Sequence, residues 1–565
     1  MKVKLAIEDY LMRCGFELDS TPGFLEHRCF FGQLDRQGID PINVMIVIYD
    51  WTLSTYPIIF LQEGERHYNS RNAHINFNRS LCYIAPGDAV VLNSLYPESA
   101  IELCLTSASK LIARLDANDP SLLEDYRDEF HVYWLNDTSL IYSYDNLSSF
   151  YYQLYIGTRK KQSLWLVPLD YDAEHPLLKN ILHAEFSNAV GHAFVITVDQ
   201  DWPTNITAPL PENLQEFLEW LRLNSPNKLR EFVELTADPV FWISSIPAII
   251  IKTPSHALVA TFMAGSASKG AVKIPIDKLH LLGGYSLYQP KNPLLKIPIK
   301  RCYVEDASKK AIHSRNGNPS FSDQNILVIG GGAIGSFLSD ALAMVGAGSS
   351  SGIITILDKE ELETGNLTRH TLGMRDLNTS KAESIKEKIN REMPHVAVNS
   401  IAGDAQKYLH FGYDLIIDAT GLEAFSRWLN NRHLEHLRSG GGTPVIYAWL
   451  EGEGMAWRSL LVNSAAGYAC RECLYIHRED GERELRFPHG DEPINYRYVG
   501  CKTIIPYAAT AAMQAASLAC EAAVDWYQGI ETPRFRGGQR SGRNYVSFVD
   551  HDLEQQDECP SCRMT

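Results

Sequence analysis

Between Asn325 and Gly421 the chain carries, in order, Gly330-Gly331-Gly332-Ala333-Ile334-Gly335, then Asp358, Asn366 with Arg369, Lys381 and Asp418. Glycines between an apolar run and a helix-forming run make a turn whose backbone N–H groups face an anion. A helix N-terminus is electropositive, and residues without a Cβ let a phosphate come close. Most such turns serve NAD or FAD, so the residues that follow decide the chemistry. Asp358 closes the apolar run 353–357, where a carboxylate can hold a ribose hydroxyl. Its separation from the glycines exceeds the usual ~20 residues, and the turn Gly346-Ala347-Gly348-Ser349-Ser350-Ser351-Gly352 accounts for the excess. Arg369, Lys381 and a late Asp418 suit a triphosphate and its magnesium better than a dinucleotide, because cations offset charge that develops during phosphoryl chemistry.

The 11 cysteines divide by neighbourhood. Cys470-Arg-Glu-Cys473 and Cys559-Pro-Ser-Cys562 are two CxxC turns, each able to aim two thiolates at one ion. Together they complete a closed tetrahedral site of the structural zinc type, which would tie the 559–562 segment back to residues 470–473. Redox-active or merely buried cysteines are the other reading. Cys501, beside Lys502 and shortly before a small-residue helix read over 506–526, sits where a thiol pKa is lowered and a nucleophile results; packing beside a nucleotide is its alternative. Cys520, inside that helix, reads as core, as do Cys14, Cys29 and Cys104, whereas Cys302 suggests no role.

The elements that must position these residues read as α/β from the glycine turn onward. Apolar strands at 326–329, 353–357 and up to Asp418 alternate with helices, one of them amphipathic and headed by Lys381. Ahead of it, strands are expected at 43–49, 248–252 and 256–262, with further strand alternation from Tyr152 to Tyr171. A helix is expected over NLQEFLEWLRL, and another from Asp88, a residue type suited to an N-cap. At 565 residues the chain has room for about three domains: 1–145, an α+β linker domain over 146–312, and 313–565. A net charge of −16 argues against nucleic-acid binding, which needs a basic footprint. The lack of a long apolar span or signal-peptide pattern, and of a disulfide framework, implies a cytoplasmic protein with no membrane partner.

As an ordered set, Gly330/Gly332/Gly335, Asp358, Asn366–Arg369, Lys381 and Asp418 resemble the ThiF/MoeB/ubiquitin-activating superfamily of adenylating enzymes, over roughly 315–565. The resemblance implies a Rossmann-like adenylation domain using ATP and magnesium. Asp358 would take the ribose, Arg369 and Lys381 the phosphates, Asp418 the magnesium and Cys501 the acyl group. It also implies a homodimer, with Arg315 reaching phosphates, although a solvated loop arginine fits that residue equally. Paired CxxC motifs are frequent in this group. Residues 1–145 resemble a ubiquitin-conjugating domain: an opening helix, strands, Tyr56-Pro57, then His74-Ile75-Asn76 and Cys82, with Ile75 where the family has proline. That implies a thioester on Cys82 and an oxyanion donor in Asn76, with His74 shaping the loop.

The order of domains looks like the activating–conjugating fusions of bacterial CBASS antiphage operons. The implied partners are a protein with a flexible C-terminal carboxylate (a cGAS-like nucleotidyltransferase or a ubiquitin-like protein) and a target amine. An activator in another bacterial ubiquitin-like pathway, or a sulfur-carrier adenylyltransferase with a noncatalytic N-terminal binding domain, is the alternative.

Overall fold

A computed structural model describes residues 2–19, 28–35, 38–68, 72–76, 78–84, 90–137, 140–157, 163–169, 190–204, 209–237, 241–242, 244, 246–263, 292–308, 311–312, 321–478, 483–486, 497–499, 502–540 and 548–563. They fall into two compact units, one within Met1–Asp170 and Ser187–Glu305, the other within Asp306–Thr565.

The second unit is built on seven strands in the order Val398–Ala402, Ile354–Asp358, Ile326–Ile329, Leu415–Asp418, Val445–Glu451, Ala456–Val462 and Phe535–Gln539. The first five run parallel and the last two join antiparallel. Strands covered on both faces read as continuous apolar runs, which is why ILVI and LIID were legible. Alternate residues supply the two cores. Ile326, Val328, Ile354 and Ile356 pack with helices Ala333–Met344, Lys381–Glu392 and Ala509–Tyr527. Leu327, Ile329, Leu357 and Ile416 pack with Leu429 of helix Glu423–Arg438 and with the cysteine turns. Helix Ala509–Tyr527 buries Ala511, Ala512, Ala515, Ala516, Ala519, Ala522 and Ala523, a small-residue face that lets neighbouring backbones approach closely. Cys520 is buried there, and burial pushes its thiol up to about 12.

Strand Ile326–Ile329 lies between Ile354–Asp358 and Leu415–Asp418, so successive crossovers leave it in opposite directions. Such a switch point opens a crevice at the strands' carboxyl ends, where open α/β sheets bind ligands. The glycine turn sits at that point.

In the first unit, helix Lys2–Arg13 and helix Pro97–Asp116 pack with an antiparallel sheet ordered Glu17–Leu18, Arg28–Leu34, Ile42–Ile48, Ile58–Leu61. The second helix begins at Pro97; Asp88, expected to start it, lies outside the described residues. Leu140–Ser143, Tyr151–Gly157, Ser163–Pro168, Gly191–Thr197, Ile246–Lys252, Ala257–Phe262 and Ile299–Asp306 close into a seven-stranded barrel. Inside it Cys302 packs with Tyr152, Leu154 and Ile250, its thiol pushed up to about 12 by burial. Cys104 is buried as expected, but Cys14 and Cys29 are only partly covered.

Gly330 and Gly335 set the tightest approach in the second unit. A Cβ on Gly335 would lie 1.7 Å from the Gly330 carbonyl oxygen, whereas one on Gly332 meets nothing within 4 Å. Gly335→Ala should therefore cost about 3 kcal/mol in urea unfolding, the upper range for overpacking, while Gly332→Ala stays within about 0.5 kcal/mol of the parent. Equal stabilities for the two variants would contradict this packing.

Candidate functional site

Gly330 turns the chain out of the first strand with φ +92, and its hypothetical Cβ would meet the Thr420 backbone at 2.9 Å, so only glycine fits. Gly332 then caps helix Ala333–Met344 without a side-chain hydrogen bond, and a Cβ there would meet nothing within 4 Å, so the helix N-terminus is left without a side-chain cap. Asp358, at the end of the neighbouring strand, accepts from Gly331 N at 2.5 Å and from Glu360 N at 2.6 Å. Burial raises its pKa against those hydrogen bonds. With one oxygen on each of these backbone groups, it fixes the turn.

Cations approach from two elements. Asn366 accepts from Glu363 N at 3.0 Å, closing a capping box on the single turn Thr364–Arg369 that presents Arg369. The Arg369 guanidinium lies 4.8 Å over the ring of Tyr507 and makes no ion pair with any described residue. Lys381 opens helix Lys381–Glu392; its side chain is 4% exposed and its Nζ is 2.6 Å from Glu360 Oε2. Glu360 is itself 63% exposed, so an entering anion can take its place without stranding it. His370 joins the Arg369 turn to the glycine turn: Nδ1 accepts from Leu372 N at 3.1 Å, so Nε2 is the protonated nitrogen and donates to Gly331 O at 2.6 Å.

Asp418, expected as a magnesium ligand, is 1% exposed, with Oδ1 accepting from Thr420 N (3.0 Å) and Oγ1 (2.7 Å) and Oδ2 accepting from Ser426 Oγ at 2.5 Å. Burial raises its pKa. Both oxygens help hold the strand-to-helix turn.

The four cysteines of the CxxC pairs converge. Their Sγ atoms all lie within 4.8 Å of one another, with separations of 3.8, 3.7, 3.6 and 3.5 Å among the close pairs. A disulfide requires about 2.05 Å; a tetrahedron of ~2.3 Å metal–sulfur bonds has edges of about 3.8 Å. The donor set and its size thus fit a zinc ion. Asn430 Nδ2 donates to Cys470 Sγ at 3.5 Å, and Gln556 N to Cys473 Sγ at 3.5 Å. Between the first two cysteines, buried Arg471 pairs with Glu423 at 2.7 Å, and fully buried Glu472 pairs with Arg483 at 2.7 Å. Glu423 begins the helix that follows the Asp418 turn, so this ion pair, with the Asn430 bond, joins the cysteine cluster to the strand end.

In the first unit, His74 and Cys82 face each other across a small hairpin: Cys82 N donates to His74 O at 2.8 Å, and Ile75 bridges Leu81. His74 has φ +64, and its Nε2 is 3.1 Å from Asp125. Asn76 is exposed at the tip; its Nδ2 donates to Ser80 Oγ at 2.9 Å, leaving a second N–H. Cys82 is partly buried. Cys501 and Arg315 lie outside the described residues.

The motif reading missed Tyr507, His370 and Glu360. Each is an ordinary residue type beside a singled-out one, and only the spatial partner reveals it. His370 yields a test. Burial lowers its pKa from 6.5 to about 4, so the folded state binds fewer protons than the unfolded state between those values. Its contribution is complete above ~6.5 and is lost as pH falls toward ~4. His370→Gln keeps a donor for Gly331 O without titrating. Its urea midpoint should fall less than the parent's between pH 6.5 and 4.5; parallel curves would contradict the assignment.

Residues 308–561 match the ThiF family model. A Pseudomonas aeruginosa protein described as an ATP-dependent ubiquitin transferase-like protein Cap2 is 26% identical over 518 residues, covering 91% of this chain and 90% of its own length. An Escherichia coli protein (strain TW11681) of the same description is 23% identical over 519 residues, covering 81% of this chain and 83% of its own. The molybdopterin-synthase adenylyltransferase of Escherichia coli K12 is 32% identical over 120 residues, 20% of this chain and 47% of its own. With a ThiF domain on a Rossmann-type sheet and a likeness to Cap2 proteins along most of its length, the chain is a Cap2-like ThiF fusion, an enzyme of the ubiquitin-like activating and transferase kind.

Proposed function

We propose that this chain activates the C-terminal carboxylate of a protein with ATP and delivers the acyl group to an amine through two cysteines. The observation that carries the reading is the convergence of an uncapped glycine-turn helix, Arg369 and Lys381 at the sheet's switch point, in a chain that also holds Cys82 in a tight hairpin. In the first step the carboxylate attacks the α-phosphate, forming an acyl-adenylate and releasing pyrophosphate. Asp358 would hold the ribose, Arg369 and Lys381 the phosphates, with Glu360 leaving Lys381 as the anion arrives. Magnesium would offset phosphate charge; Asp418, with both oxygens engaged, is not assigned to it.

The thiolate of Cys501 would then attack the adenylate carbonyl, expelling AMP and giving a thioester. Transfer to Cys82 exchanges one thioester for another. A target amine attacks that carbonyl, Asn76 donates to the oxyanion, and the Cys82 thiolate leaves as the amide forms. A carboxylate alone is inert to amines, so the thioesters preserve the activation that ATP supplies. Residues 1–145 would carry conjugation, 146–312 a spacer and 313–565 adenylation. The likeness to Cap2 proteins along most of the chain supports an antiphage CBASS setting, with a cGAS-like nucleotidyltransferase as carboxylate donor. The four-cysteine cluster would hold a structural zinc and so keep helix Glu423–Arg438 in register.

Two measurements test this. On nonreducing gels, the full chain with MgATP and a candidate donor should form a reducible adduct that Cys501→Ala abolishes, and Cys82→Ala should stop transfer to targets. Normal target modification by Cys82→Ala would leave a noncatalytic N-terminal domain and sink the relay. Metal analysis should find about one zinc per chain, lost in Cys559→Ser/Cys562→Ser with a stability loss of several kcal/mol; a metal-free parent of equal stability would refute the zinc assignment.

A further inference from the structure

The cations near the nucleotide crevice and the cysteine cluster are held in different ways. Lys381 faces Glu360, and Arg471 faces Glu423 while also lying 4.5 Å over the Trp449 ring. Arg369 faces a ring. Its guanidinium lies 4.8 Å from the Tyr507 centroid and has no ion pair or hydrogen bond to a described side chain. The difference has a chemical consequence. A carboxylate partner occupies the in-plane N–H donors of arginine and must be displaced before an anion can bind. A ring takes the guanidinium by its face and leaves all five N–H donors in the plane available.

Tyr507 is itself held for this task. It is partly buried, at the start of the segment leading into helix Ala509–Tyr527. Behind it runs the turn containing Gly454, with φ +72. A Cβ on Gly454 would stand 2.9 Å from Tyr507 Cβ and 2.8 Å from Ala511 Cβ. Only a glycine lets that turn come so close to the root of the Tyr507 side chain. On the other side, the Arg369 turn is closed by the Asn366 capping box and joined to the glycine turn through His370. Both partners of the stack are therefore fixed by their own elements. The Tyr507 hydroxyl donates to no described residue, so the ring face is what the arrangement uses.

We propose that Tyr507 is a positioning residue for anion binding: its ring holds the Arg369 guanidinium in place, donors unspent, for the polyphosphate of a nucleoside triphosphate. The proposal rests on the nucleotide reading of the crevice and assigns it a residue that the glycine, aspartate, arginine and lysine motifs do not contain.

The test is the affinity of the full-length chain for MgATP, by calorimetry, in five proteins: parent, Tyr507→Phe, Tyr507→Leu, Arg369→Ala and the double variant Tyr507→Leu/Arg369→Ala. Phenylalanine keeps the π face and leucine keeps apolar bulk without it. Tyr507→Phe should bind within about twofold of the parent, and Tyr507→Leu about tenfold more weakly, as loss of a partly desolvated cation–π contact implies. The double variant should bind no more weakly than Arg369→Ala, because the ring acts through the arginine. Parent-like binding by Tyr507→Leu overturns the proposal. So does a Phe variant as weak as the Leu variant, which would place the effect in the hydroxyl. A double variant weakened by the full product of the single losses would mark Tyr507 as general packing and also overturn it. A parent chain that binds no MgATP sinks the nucleotide reading itself and the proposal with it, a result distinct from any pattern among the variants.

Discussion

The crevice depends on one close approach, that of the Gly330 carbonyl to the first turn of helix Ala333–Met344 at Gly335. The helix can begin so near the end of the first strand only because neither residue has a side chain at that contact. Every other group in the site is placed from there. Asp358 reaches the turn through Gly331 N, His370 reaches it through Gly331 O, and Gly330 passes beside the Thr420 backbone, where Asp418 has closed the adjoining strand. Three neighbouring segments thus converge on two glycines, at the position where the sheet's crossovers diverge.

Around that turn, charge is handled according to what each group has to do. Asp418 is buried with both oxygens hydrogen-bonded, which suits a group that fixes backbone, and fully buried Glu472 is compensated by the charge of Arg483 2.7 Å away. Lys381 is buried against a carboxylate that is mostly in water, a pairing that protects the ammonium and can still be exchanged. An exposed partner contributes little net stability, and this makes Glu360 cheap to displace. Arg369 has no acidic partner among the described residues and leans on an aromatic face.

Much of the second unit was legible because its strands are buried on both faces. Continuous apolar runs ending in Asp358 and Asp418 cannot be half-exposed edge strands, and Lys381 after Ser380 reads directly as a capped helix start. The small-residue helix was expected over 506–526 and spans Ala509–Tyr527. What escaped the sequence needs partners far away along the chain. The barrel closes by pairing Leu140–Ser143 in parallel with Ser163–Pro168 and Gly191–Thr197 in parallel with Ile246–Lys252, and period-2 alternation is silent about such joins. Cys302 had no role until that closure buried it. A strand-end carboxylate is identical on paper whatever its oxygens touch, so the bond from Ser426, eight residues on in the first turn of the next helix, to Asp418 could not be read there. Tyr507 was read as the entry to a helix, and nothing local links it to Arg369.

A crystal structure of the full chain with a nonhydrolysable ATP analogue tests whether the switch-point crevice holds a nucleoside triphosphate. The phosphates should lie at the N-terminus of helix Ala333–Met344, against Gly332 N–H, within hydrogen-bonding distance of Arg369 and Lys381, with Glu360 displaced from Lys381 and the ribose on Asp358. A nucleotide bound elsewhere, or bound there with the Lys381–Glu360 pair intact and Arg369 untouched, would contradict it.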